Sequence, residues 1–205
     1  MDLSYPKPYI NDTALSVLLG GSADRRYSWV KRALKEGTLV KLKRGIYLIG
    51  EREALPIDSF ELAQQLYGPS YISFESALAH HGWIPEAVYI ITSASSKRSS
   101  TIETPIGTFS YEHTPWDQFF MGVERIVTQD STFLMAHPWK ALADYMYVHR
   151  KKWKTLTDVV KDMRLDESAL QKADIAILEE IAEYYDSLKV RNFARNILKD
   201  LHRWA

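Results

Sequence analysis

Nine side chains between positions 25 and 44 have the types and spacing to hold nucleic acid: Arg25, Arg26, Ser28, Trp29, Arg32, Lys35, Lys41, Lys43 and Arg44. Lysine and arginine neutralise phosphate, and a guanidinium fork can also pair with guanine in the major groove. Residues 22–45 hold eight Lys or Arg against two acids, a net +6. The chain as a whole sums to zero. Residues 1–50 carry +5 and the rest −5, so neutrality hides a polarised molecule with one localised phosphate-binding segment. Basic residues on a solvated helix face are also ordinary; the local surplus is what favours the nucleic-acid reading.

Catalytic chemistry is harder to assemble. His80 and His81 are adjacent, which on a helix points them about 100° apart and away from a shared ion. No HExxH pattern, EF-hand loop, phosphate-binding glycine loop or G-x-S-x-G elbow occurs. Glu103, Glu112 and His113 fall on or beside predicted strands, as nuclease carboxylates do, but such residues are common on edge strands too. The chain has no cysteine, which excludes disulfides, thiolate zinc sites and thiol nucleophiles. The expectation is a non-enzyme without metal or cofactor.

The basic residues need elements to position them. Ser22 can cap a helix that Gly37 ends, with Ala23, Tyr27, Val30 and Leu34 as its apolar face. The opposite face then carries Arg25, Ser28, Arg32 and Lys35, with Trp29 at its edge. Val40 and Leu42 alternate with Lys41 and Lys43, Arg44-Gly45 can turn, and Ile46–Ile49 returns as a strand. A basic helix followed by a hairpin with a basic tip is the layout of a winged helix-turn-helix, whose helix enters the major groove and whose wing lies on backbone or minor groove. Asn11 or Asp12 can cap a shorter positioning helix through Leu19. Pro6 and Pro8 keep the first ten residues extended, so the leading helix of a full winged helix has no room. Either the helix predicted over 56–67 packs back to replace it, or the fold is trimmed.

The predicted class is α+β: a winged helix-turn-helix over residues 1–55, then a mixed α/β domain over 56–205 with a small, mainly antiparallel sheet and a helical C-terminal part. Strands are expected at Tyr71-Ile72, 88–92, 101–104, 108–113, 125–128 and 132–136, with 93–100 a loop. Pro138 opens a helix, and helices follow over 155–163, 173–186 and 188–204. The last has a basic stripe, Arg191, Arg195, Lys199 and His202, that reads first as solvated surface. Neither a signal peptide nor an 18-residue apolar run is present, so a soluble, cytoplasmic protein is expected.

Three stretches carry a family resemblance: WVKRALKEGTLVKLKRGIYLIG, YISFESALAHHGWIPEAVYIIT and HPWKALADYMYVHRKKW. In order and spacing, across roughly residues 10 to 153, they resemble the AbiEi-type antitoxins of bacterial type IV toxin–antitoxin systems. The third contains their Lys-Ala-Leu-x-Asp signature as Lys140, Ala141, Leu142 and Asp144. The resemblance implies a repressor that binds double-stranded DNA at its own operator and counters a nucleotidyltransferase-like toxin, usually without a tight complex with it. Lys140, Asp144, Arg150, Lys151 and Lys152 would then lie on the surface that opposes the toxin. Asp144 has a second reading, in which it bonds buried backbone and locks its helix to the sheet. A stand-alone winged-helix regulator, a protein-interaction module, and, less favoured, a nucleic-acid-processing enzyme are the alternatives.

Overall fold

A computed structural model describes residues 5–50, 56–117, 119–171 and 173–204. The expected boundary at 55/56 falls beside residues 51–55, outside the described residues, as do residues 1–4 and the side chain of Trp204.

Local chemistry sets the first unit. The Asn11 side chain accepts from the Ala14 N–H at 2.8 Å and starts α1 (Asp12–Leu19). The Ser22 hydroxyl accepts from the Arg25 N–H and starts α2 (Ala23–Glu36). Gly37, in the left-handed conformation at φ 78°, ends α2 and turns the chain into a hairpin. Here β1 is Tyr9–Asn11, β2 Leu39–Lys43 and β3 Ile46–Ile49. All pairs are antiparallel, in the order β1-β3-β2. Gly45 at the hairpin turn also needs a positive φ, and a Cβ there would meet the Asp12 carboxylate at 2.8 Å. The described residues thus open on a strand, as the two prolines suggest.

The three-stranded sheet is buried on both faces. Ile10, Leu39, Tyr47 and Ile49 pack with Leu15 and Ala33 beneath α1 and α2. Tyr9, Leu42 and Leu48 join the large core of the second unit. That core surrounds a six-stranded sheet in the order β6-β7-β5-β4-β9-β8. Its strands are β4 (Ser70–Ile72), β5 (Ile90–Ser95), β6 (Ser100–Thr104), β7 (Gly107–His113), β8 (Val123–Val127) and β9 (Thr132–Ala136). The pairs β4/β9 and β5/β7 are parallel and the other three antiparallel. β5 runs through Ser93 to Ser95, part of the expected loop, because both serines are buried in mid-sheet. The same strand begins only at Ile90, leaving Tyr89 outside it.

Helix α3 (Ser59–Leu66) buries Leu62, Ala63 and Leu66 in the large core. It packs chiefly on β9, β4 and β5, so it does not replace the missing first helix of a winged helix. On the opposite face lie α4 (Phe74–His80) and α5 (Pro138–Val148), the second buried along most of its length. α6 (Leu156–Met163), α7 (Glu167–Gln171), α8 (Ala176–Tyr184) and α9 (Leu188–Trp204) complete the C-terminal part, with Val190, Phe193, Ala194 and Ile197 turned inward.

Candidate nucleic-acid interface

The outer ridge of α2 differs from the expected one by a rotation. Ala33 is its one fully buried residue, flanked by half-buried Arg26, Trp29, Val30 and Leu34. Tyr27, expected in the core, is 72% exposed. Alanine at the contact lets the helix lie close to Leu39, Tyr47 and Ile49, and this fixes which sector turns inward. Trp29 therefore packs against the small core and is corrected from a groove contact to a core residue. Arg26 turns toward the buried flank and its guanidinium donates to the Gly21 carbonyl at 2.5 Å, so it too leaves the groove set. Asp24, Ser28, Lys31 and Lys35 lie at helical spacing along the exposed centre, with Tyr27 on one side and Arg25 and Arg32 on the other. Lys31 and Tyr27 are thus additions to the predicted set; centring the helical wheel on Ala33 would have found both.

None of Arg25, Lys31, Arg32 or Lys35 takes part in an ion pair among the described residues. Their charges face solvent, as phosphate binding requires. The hairpin divides. Lys41 and Arg44 are exposed. Lys43 instead reaches back, donating to the Leu66 carbonyl at the end of α3 at 2.8 Å and sitting 4.9 Å from the Tyr67 ring centre. Burial, and secondarily the Lys97 charge, pull its ammonium below the usual lysine range. Lys43 is corrected from a wing contact to a strut between the two units.

The second candidate surface is reduced as well. Lys140 and Asp144 are 2% and 0% exposed, which overturns their placement on a toxin-facing surface. Asp144 accepts from Lys140 Nζ and the Tyr71 hydroxyl at 2.8 Å, Ser73 at 2.9 Å and Tyr185 at 3.1 Å. It does lock α5 to the sheet, through hydroxyls rather than backbone. Burial first, and then the Asp144 charge, push both tyrosines well above their ordinary pKa, so they stay protonated and donate. Arg150 and Lys152 are exposed, whereas the Lys151 ammonium is paired with Asp162 at 2.7 Å.

Glu112 and His113 are neighbours on β7 and so point to opposite faces, and Glu103 is exposed on β6. No three metal-ligating side chains converge among the described residues. No helix among them is long and apolar enough to cross a membrane. No protein-family model matches this chain, and neither does any curated protein.

Proposed function

We propose that the chain is a sequence-specific, double-stranded-DNA-binding repressor that reads the major groove with α2, in a winged-helix variant whose first helix is replaced by strand β1. The observation that carries the reading is the exposed, unpaired cationic ridge of Arg25, Lys31, Arg32 and Lys35 on the second of two consecutive capped helices. Strand order β1-β3-β2 supports it, since a strand before the helices pairs with the returning hairpin strand. The antitoxin role, against a nucleotidyltransferase-like toxin, rests on the resemblance of the three segments alone.

Selection from a random duplex library followed by fluorescence anisotropy tests the reading. A bidentate arginine–guanine pair contributes about 1–3 kcal/mol of discrimination. Arg25→Ala and Arg32→Ala should each weaken the selected site and relax its sequence preference. Arg44→Ala should weaken all sequences alike and make the salt dependence shallower by roughly one unit per lost phosphate contact. Lys43→Ala should leave that slope unchanged. Wild-type affinity in the Arg25→Ala/Arg32→Ala double variant would remove α2 from the groove. The antitoxin role is tested separately: that same variant, expressed beside the toxin, should fail to repress and still protect cells.

A further inference from the structure

A cleft of about 750 Å³ opens on the α4/α5 side of the six-stranded sheet, within the size range of small-molecule sites. Its floor is formed by β5 and β7, and its walls by the start of α4, the 84–89 segment that leads into β5, and the ends of α5 and α6. Tyr89 at its edge is 89% exposed and Ile90 46%, an apolar margin that the fold leaves uncovered.

Its charge is one-sided. Glu75, Glu86, Glu112 and Asp162 line the cleft against a single Arg164. Glu86 pairs with Arg164 at 3.3 Å and Asp162 with Lys151 at 2.7 Å. Glu75 and Glu112, both half-buried, have no ion pair among the described residues. Their partners are hydroxyls. Ser99 donates to Glu112 at 2.9 Å, and Glu75 lies near the Tyr145 hydroxyl, whose pKa is pushed up to about 12 by burial first and by the Glu75 charge second. A hydroxyl supplies no positive charge, so a cation entering the cleft meets two carboxylates that no ion pair among the described residues engages.

The backbone marks the same place. Phe74, Arg150 and Arg164 are the non-glycine residues at positive φ among the described residues. Phe74 and Arg164 line the cleft, and Arg150 follows His149, which lines it too. A phenylalanine at φ 54° is a costly conformation of the kind that collects at ligand sites. It sets the Phe74 ring 6.4 Å from Tyr145 and 6.1 Å from His149.

We propose that this cleft binds a small organic cation, a protonated amine on an apolar body, with Glu75 and Glu112 taking the charge and Tyr89 and Tyr145 flanking the body. Aromatic faces attract such a cation as well as its apolar part. The proposal does not depend on DNA binding.

Three indoles of matched shape test it on the full chain by isothermal titration and thermal shift: tryptamine (cation), tryptophol (neutral) and indole-3-acetate (anion). Tryptamine should bind saturably and raise the melting temperature, with tryptophol about tenfold weaker and indole-3-acetate weaker still. Glu75→Gln/Glu112→Gln should remove the tryptamine advantage and leave tryptophol unchanged. Equal affinities for all three ligands, or full tryptamine affinity in the double variant, would overturn the proposal. So would the absence of saturable tryptamine binding up to about 10 mM, a concentration at which a ligand of its size fills a true site. Should the double variant fail to fold, Tyr89→Ala decides, because its side chain is exposed. It should weaken tryptamine and tryptophol together, and an unchanged affinity for both would sink the flanking assignment and the site with it.

Discussion

Asp144 is fully buried and accepts four hydrogen bonds, one of them from a lysine with almost no access to water. Removing one partner of such a pair strands the other charge, which typically costs about 3–5 kcal/mol. Asp144→Ala should lose that much in urea unfolding, because the Lys140 ammonium and three hydroxyls lose their acceptor. Lys140→Met should lose less, since Asp144 keeps the hydroxyls of Tyr71, Ser73 and Tyr185. Equal losses would mean the hydroxyls contribute nothing. The i, i+4 spacing was readable from the sequence, and so was the option that it locks a helix. What sequence could not supply was Tyr71, Ser73 and Tyr185, which lie 73, 71 and 41 residues away and meet Asp144 only through the sheet and helix packing.

Elements were legible wherever local chemistry closes them. Asn11, Ser22, Gly37, Pro138 and Thr155 delimit helices at or beside the predicted ends, because a cap needs only neighbouring atoms. The rotation of α2 was not, because Ala23, Tyr27, Val30 and Leu34 form a coherent apolar stripe of their own and only tertiary packing selects Ala33 as the contact. Ser93–Ser95 read as loop for the same reason: serine disfavours a strand until the neighbouring strands bury it. One element end should titrate. His137 caps α5, its Nδ1 accepting from the Trp139 N–H at 3.4 Å, and burial depresses its pKa and that of His81. A depressed folded pKa means stability is intact above the ordinary histidine value of about 6.5 and is lost as pH falls through the lower folded value. Protonation would also put a hydrogen on the nitrogen that caps. His137→Asn keeps a capping acceptor that does not titrate in this range. Its melting temperature should match wild type at pH 7.5 and fall less between pH 7 and 5. A fall as steep as wild type would place the acid sensitivity elsewhere.

At the scale of the molecule, the two units are not separable in the way a linker between domains would allow. Tyr9, Leu42 and Leu48 of the small sheet belong to the large core. The Tyr9 hydroxyl and the Lys7 ammonium both bind Glu61 of α3 at 2.8 Å, and Lys43 binds the end of α3. Each buried side chain of that kind contributes about 1.5–3 kcal/mol, and a fold of fifty residues has only a few kcal/mol in hand. Residues 1–50 expressed alone should therefore show no cooperative thermal transition by circular dichroism; a sharp one would mean that the large core is dispensable to them. The polarity of charge was plain in the sequence, whereas the union of the cores was not, since leucines of a hairpin do not declare which side they will serve. The length of α2 carries a consequence of another kind. Fourteen residues make a rod of about 21 Å, which, if α2 reads DNA as proposed, would span about six base pairs. A word of six base pairs recurs by chance about once in four thousand, so among some 10⁶ competing positions it has hundreds of decoys. On the proposed reading, a ridge of that reach acting alone would name a word and not an address; repression of one promoter would take at least two copies of the chain side by side on the same DNA.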